Sequence, residues 1–159
     1  MDKRQNVQRS TLNVQRSTDQ ATPSASSARY DLEERLLQYA ARVIRLVNKL
    51  PRTRAGNHVA KQLLKSGTSP LPNHGEAQAA ESPQDFIHKL RICLKELRES
   101  LRWLRLIAAV PLLRKSDDLE EVQSLIKETN ELIRIFFSSV RTTQRNRVHP
   151  DLPANDRQR

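Results

Sequence analysis

The chain has little of what extracellular, β-rich or base-stacking proteins use. Its 159 residues include one Cys, three Gly, one Trp, two Tyr and three Phe. A lone cysteine cannot form an internal disulfide, so the fold does not depend on an oxidising compartment. Glycine is too scarce for many tight hairpins, and the small number of aromatic side chains argues against binding by base stacking.

Long apolar runs are also missing. No run approaches the ~18 apolar residues of a transmembrane helix. The basic residues near Met1 are not followed by the apolar segment of a secretory signal. We therefore expect a cytoplasmic protein without a membrane partner.

Patterns that carry catalysis or bind metals are sparse. A di-iron bundle needs Glu-x-x-His on two helices, whereas the nearest match is a single Asp85-x-x-His88. There is no glycine-rich phosphate loop, and Cys93 falls within an apolar seam, where a thiol is inert. The hydroxyl cluster at 66–69 has no histidine at a triad spacing. The sequence thus predicts no enzymatic activity, no metal and no cofactor.

Positive charge is what the chain has in excess. The formal net charge is +10, and it is shared between both ends and the middle. Such a balance favours polyanionic partners, because cations that neutralise phosphates release counterions. It is equally compatible with a basic protein that binds no nucleic acid specifically.

Composition divides the chain into three parts. Residues 1–29 and 144–159 have almost no large apolar side chains, and the sequence of residues 6–11 recurs at 13–18. Both ends are predicted to be disordered, basic tails. Residues 30–143 are rich in Leu and Ile, and this length suffices for one compact core.

Four helices are predicted between the tails. The first begins near Asp31, because acidic residues favour a first turn, and ends at Pro51. The second is either kinked or split in two at Pro70. The fourth begins near Ser116 or Asp117. With short connectors between them, these helices predict an all-α, antiparallel up-down four-helix bundle.

The third helix has the clearest boundaries. Ser82, Pro83 and Asp85 resemble a capping box with proline at the first helical position, and Pro111 ends the helix. Its apolar seam at bundle spacing consists of Phe86, Leu90, Cys93, Leu97, Ser100, Leu104 and Ile107.

The third helix also has a second, partly apolar arc. This arc consists of Ile92, Glu96, Glu99, Trp103 and Leu106. A helix that is apolar on two sides needs burial on both, which predicts that the arc packs against another subunit. The alternative is that helices two and four of the same chain cover it. The two carboxylates are interpreted as members of interface ion pairs rather than as a catalytic pair.

Two rows of basic residues accompany these apolar faces. One row on the third helix consists of Arg91, Lys95, Arg98, Arg102 and Arg105. The other, on the side of the first helix opposite its apolar seam, consists of Arg35, Arg42, Arg45, Lys49 and Arg52. Two such rows at helical spacing fit a phosphate backbone, through mainly electrostatic and weakly sequence-specific contacts. The alternative for each row is a solvated face.

A string of motifs runs through the second and third helices. It reads KQLLKSGTSP at 61–70, NHGEA at 73–77, DFIHKL at 85–90 and LKELRES at 94–100, with Trp103 after it. In its order, the string resembles the bacterial four-helix-bundle family of 23S rRNA intervening-sequence proteins over about residues 30–140.

This resemblance implies a bundle that assembles as a ring, typically a homopentamer, without established enzymatic activity. A related branch, the accessory protein of diversity-generating retroelements, is similar in fold and is a basic pentamer that binds nucleic acid and a reverse transcriptase. The family's recurrent polar positions fall on Ser66, Asn73, Glu76, Lys89, Glu96 and Glu99. The proline-containing segment at 68–72 departs from the more regular helix of many members.

Two functions of different classes follow. The favoured one is a non-catalytic, oligomeric protein that binds RNA or DNA, with RNA preferred. The alternative is a protein-interaction scaffold without nucleic-acid binding, on which a reverse transcriptase or another protein docks. An enzyme would require Glu76, Glu96 and a histidine to converge in a pocket.

Overall fold

The structure is a computed structural model that describes residues 25–110, 112–113 and 115–148, with side chains between residues 32 and 146. Within these ranges the secondary structure is entirely helical. The helices are α1 (Ala25–Val47), α2 (Arg54–Thr68), α3 (Pro70–Gln78), α4 (Pro83–Ala109) and α5 (Ser116–Val148). Residues 1–24 and 149–159, which belong to the predicted tails at 1–29 and 144–159, lie outside the described residues.

The helices surround one core in cyclic order. α1 contacts α2, α3 and α5, and α4 contacts the same three helices. Arg35 lies opposite Glu128 and Arg42 opposite Glu121, so α1 and α5 run antiparallel. The predicted all-helical fold is confirmed. With α2 and α3 taken as one broken rod, the contacts follow the order of a four-helix bundle.

The core is made by apolar side chains at spacings of three and four. Side chains without exposed surface include Leu36, Val43, Leu63, Leu97, Leu104, Leu125 and Leu132. Burying each leucine is worth about 1.5–3 kcal/mol relative to leaving it exposed. Tyr39 also lies in the core, with 1% of its surface exposed, although the sequence did not predict its burial. Burial raises the pKa of Tyr39, whose hydroxyl forms a 2.9 Å hydrogen bond with Thr129 Oγ1.

The second predicted helix is split into two pieces, α2 and α3, that meet at Ser69. Pro70 has no N–H with which to continue α2, but proline fits the first position of a new helix. Ser69 keeps a helical conformation, with φ −60° and ψ −34°. Asn73 Nδ2 donates to the Ser69 carbonyl oxygen at 2.9 Å. The Asn73 side chain therefore satisfies a backbone carbonyl at the break. Both α2 and α3 contact α4.

The outer helices extend into the predicted tails. α1 begins at Ala25 rather than near Asp31, in a segment without glycine or proline where alanine, the best helix former, occurs. α5 continues to Val148, and the next helix-breaking residue in the sequence is Pro150. The helical part is therefore longer at both ends than the predicted 30–143.

The predicted start of α4 is confirmed. Ser82 Oγ accepts a hydrogen bond from the Asp85 N–H at 3.1 Å, and Pro83 occupies the first helical position. The cap satisfies one of the N–H groups that a helix start leaves unpaired. α5 begins at Ser116, which is one of the two predicted starting residues.

α1 and α2 lie close together at Gly67. A Cβ at this position would lie 2.7 Å from Cγ1 of Val43, whereas a Cβ at Gly75 would meet nothing within 4 Å. Only a residue without a side chain fits between α2 and Val43 without displacement.

We expect Gly67→Ala to lower the free energy of unfolding by about 1–2 kcal/mol, because overpacking exceeds the gain in helix propensity. The matched control, Gly75→Ala, should raise it by about 0.5–1 kcal/mol, since alanine favours a helix more than glycine does. Urea unfolding followed by circular dichroism at one protein concentration measures both. Equal shifts in the two variants would contradict the close approach.

Candidate nucleic-acid interface and neighbouring surfaces

The basic row of α1 faces α5. Its ion pairs are Arg35–Glu128 (Nε–Oε1 2.6 Å), Arg42–Glu121 (Nε–Oε1 2.9 Å) and Lys49–Asp118 (Nζ–Oδ1 2.7 Å). For these three residues the predicted orientation, opposite the apolar seam, is wrong. Positions 35, 42 and 49 each immediately precede a buried residue, so the row borders the core where α5 supplies carboxylates. Arg45 and Arg52 are exposed.

These ion pairs orient the helices more than they stabilise them. Both arginines use two nitrogens, and Arg42 Nη2 also donates to Ser124 Oγ at 2.8 Å. The hydrogen bond from Lys49 to Asp118, together with the carboxylate's charge, raises the pKa of the lysine. Partly exposed pairs are each worth about 0–1 kcal/mol. Three cations of the α1 row are nevertheless matched within the chain.

The basic row of α4 lies in solvent. All five of its predicted members are exposed, and none of the carboxylates between residues 32 and 146 forms an ion pair with them. Arg102 Nη1 donates only to the Arg98 carbonyl oxygen, at 3.3 Å. From Arg91 to Arg105 the row is about 21 Å long, at 1.5 Å per residue. These five cations are therefore available to an external polyanion.

The α4 row is turned away from α2 and α3. Lys89 and Trp103 mark the edge of α4 that meets those helices, through an ion pair with Glu76 and a ring contact with His58. Arg91 and Arg105 follow these two residues by two positions, which is about 200° around the helix. The row therefore lies on the other edge of α4, toward α5.

The second arc of α4 is partly covered by α2. The Trp103 ring lies edge-on to His58 at 5.7 Å between centroids, and its Nε1 donates to Glu99 Oε1 at 3.3 Å. Ile92 and Glu96 are half-buried, as are Glu99 and Trp103, whereas Leu106 is 41% exposed. α2 of the same chain thus covers part of the second arc, as the alternative prediction proposed. Leu106 remains accessible to solvent.

Three of the polar positions implied by the family resemblance, Ser66, Glu76 and Lys89, take part in contacts that join α2 and α3 to α4. Ser100 Oγ donates to Ser66 Oγ at 2.9 Å, and both residues are fully buried. On the other side of the break, Lys89 Nζ donates to Glu76 Oε2 at 2.5 Å. This hydrogen bond and the carboxylate's charge raise the pKa of Lys89. Lys89 therefore has a partner in its own chain.

An exposed aromatic ring was missed by sequence reasoning. Phe137 is 50% exposed, while the adjacent Phe136 is buried in the core with 1% of its surface exposed. Adjacent residues lie 100° apart around α5, so both rings do not face the core equally. The occurrence of two consecutive phenylalanines was the only feature of the sequence that indicated an exposed ring. Leu37 and Ile44 on α1 are also more than two-fifths exposed, at 47% and 44%.

Groups that often serve catalysis are placed for packing. Cys93 has no exposed surface, and its Sγ lies 3.5 Å from the Pro70 carbonyl oxygen. Burial raises the pKa of this thiol to about 12. His74 is 4% exposed and lies edge-on to Phe136 at 6.0 Å.

The described part of the chain contains neither a metal-binding cluster nor a helix suited to a membrane. Between residues 32 and 146, no three or more His, Cys, Asp or Glu side chains are grouped to hold a metal ion. None of the helices in the described part of the chain has the length and apolar character that crossing a membrane requires.

We expect Cys93 to resist thiol reagents in the folded protein at pH 8. A thiol with a pKa near 12 is almost entirely protonated there, and only the thiolate is nucleophilic. Absorbance with an aromatic disulfide reagent should show no release without denaturant and one equivalent in urea. Rapid modification of the native protein would contradict the buried position.

The arrangement defines a class of protein: a basic helical bundle in which three cations of the α1 row are paired within the chain and the α4 row has no ion pair among the described residues. Residues 28–137 match the 23S rRNA-intervening sequence protein family, and because the match covers more than half of the chain, the chain belongs to this family. The predicted family resemblance is confirmed.

A solved structure supports the same assignment. It is the crystal structure of a protein with unknown function from the S23 ribosomal protein family of Bacteroides thetaiotaomicron. It shares 31% sequence identity and a TM-score of 0.61 with this chain, over 69% of this chain and 97% of that one. No match was found among curated proteins.

Proposed function

We propose that this chain is a non-catalytic, oligomeric protein that binds RNA through the basic row of α4. The observation that carries the proposal is the row itself, in which five exposed cations over about 21 Å have no carboxylate partner among the described residues. One strand of a duplex presents a phosphate about every 3.4 Å. The row is therefore long enough to follow about six phosphates.

The nature of these contacts limits what the surface recognises. Arginine and lysine at a helix surface contact phosphates without reading base edges. Binding is then strongly salt-dependent and weakly sequence-specific. The family's connection with an intervening sequence of 23S rRNA favours RNA over DNA.

We expect RNA affinity to fall roughly 100-fold between 50 and 200 mM salt, since five contacts to a single strand give a slope of about −3.5. Arg91→Glu with Arg98→Glu should abolish most binding, because the row then carries two repulsive charges. Fluorescence anisotropy with a labelled RNA measures both effects.

The matched control is Lys61→Glu with Lys65→Glu. These exposed lysines of α2 change the net charge by the same amount but lie away from the α4 row. Equal loss of binding in both double variants would assign the affinity to net charge, and the α4 row would no longer be the interface.

Self-association is the second part of the proposal. Leu106 at 41% and Val110 at 40% exposure continue the open side of the second arc, and exposed apolar side chains in a row mark contacts between subunits. The family resemblance favours a ring of five. A ring would repeat the α4 row and raise the affinity for a long polyanion through multivalency.

We expect light scattering to give a mass of several subunits for the natural sequence and a smaller mass for Leu106→Glu, because a buried carboxylate without a partner is costly. Gln84→Glu, exposed near the start of the same helix and remote from Leu106 and Val110, should leave the mass unchanged. A monomer in all three cases would show that the arc is covered by its own chain.

A protein-interaction scaffold is the alternative function. Leu37 and Ile44 of α1 and Leu64 of α2 expose apolar surface at 47%, 44% and 40%, on a side remote from the α4 row. A protein such as a reverse transcriptase would dock there without nucleic acid. A stoichiometric complex that survives nuclease treatment would favour this alternative.

A further inference from the structure

Phe137 is an aromatic side chain exposed among cations. Half of its surface is accessible, and Arg134 and Arg141 flank it at i−3 and i+4, positions that neighbour it on one helix face. Both arginines are exposed. Arg134 forms an ion pair with Glu131 (Nη1–Oε1 2.6 Å) in which both side chains are more than half exposed, and such a pair exchanges easily with another anion.

Phe137 lies on the edge of α5 that faces α4. The opposite edge holds Glu121 and Glu128, which pair with α1. Phe137 follows Glu128 by nine positions, which is about 180° around the helix. Because α4 and α1 both contact α5, the edge turned away from α1 is the edge beside α4.

Phe137 also lies at the height of the first cation of the α4 row. The Tyr39 hydroxyl interacts with both Thr129 of α5 and Ser100 of α4, so these two residues are level. Phe137 is eight residues beyond Thr129. Eight residues before Ser100 on α4 is Ile92, which is adjacent to Arg91. The aromatic ring thus continues the basic row at its Arg91 end.

We propose that this corner is a stacking site for single-stranded RNA, in which a base lies on Phe137 while neighbouring phosphates contact Arg91, Arg134 and Arg141. The inference rests on the proposed function and specifies its substrate class. A base can stack on a protein ring only when it is unpaired, as in loops and single strands. The site therefore distinguishes single strands from duplexes, which cations alone do not do.

A protein partner fits this corner less well. Ile126 and Ile133, on the same edge of α5, are half-buried against the chain's own core. A specific protein interface needs roughly 800 Å² on each side, far more than one ring among arginines provides. A single aromatic platform with cations around it is instead the pattern of single-strand binding surfaces.

The test compares Phe137→Leu and Phe137→Tyr in the full chain by fluorescence anisotropy. The probes are an oligoadenylate of about twelve nucleotides, within usual site sizes, an abasic strand with equal phosphates, and a duplex of the same RNA. Phe137→Leu should bind oligoadenylate about tenfold more weakly and bind the other two probes unchanged. Phe137→Tyr should restore binding, and the salt dependence should stay the same in all three proteins.

A matched control separates stacking from loss of apolar surface. Leu119 is 39% exposed and precedes Phe137 by eighteen positions, a whole number of turns, on α5. Leu119→Ala should not affect any probe. Light scattering should give the same mass for all variants, and a smaller mass for Phe137→Leu would overturn the proposal by assigning the ring to a subunit contact.

The outcomes separate the two proposals. If the natural protein binds no probe at low salt, the RNA-binding function fails and the stacking site with it. If all probes bind equally and Phe137→Leu changes nothing, RNA binding stands and the stacking site is wrong. If an acidic peptide binds in a Phe137-dependent way and oligoadenylate does not, the corner is a protein-docking surface and the proposal is overturned.

Discussion

The burial of one long face of α4 is the constraint on which the rest of the structure depends. Leu97, Leu104 and Ile107 have no exposed surface, and α4 contacts α2, α3 and α5. Isolated helices are marginal in water, so the other helices gain stability chiefly by covering this face. The continuous helix α4 therefore packs against two shorter helices, α2 and α3, that meet at Ser69. The hydrogen bonds Ser66–Ser100 and Cys93–Pro70 join α4 to the two sides of that break.

The fixed position of α4 gives two similar rows of cations different roles. The edge of α5 toward α1 presents three carboxylates, which pair with the α1 row. The edge toward α4 presents Ile126, Asn130, Ile133 and Phe137, with no carboxylate among them. The charge pattern of α5, rather than that of α1 or α4, decides which row stays available to an external anion.

The sequence predicted what depends on local chemistry. The capping residues of α4, the interruption at Pro70 and the order of the helices follow from side chains within a few positions of each other. The ion pairs of the α1 row with α5 could not be predicted in this way. Helical periodicity shows which residues share a face, but it does not show which helix that face contacts. Phe136 and Phe137 illustrate the same limit, since both fit an apolar pattern and only packing decides which one is buried. Tyr39 was missed because its hydroxyl needs a partner, Thr129, ninety residues away.

The two candidate surfaces of α4 adjoin each other, which would link the proposed self-association to the proposed nucleic-acid binding. Leu106 follows Arg102 by four positions, so the open end of the second arc borders the basic row. Subunits that associate through this arc bring like charges close together, which opposes assembly at low salt. A polyanion along the row would remove that repulsion. By thermodynamic reciprocity, assembly would then raise nucleic-acid affinity by the same factor as nucleic acid raises assembly.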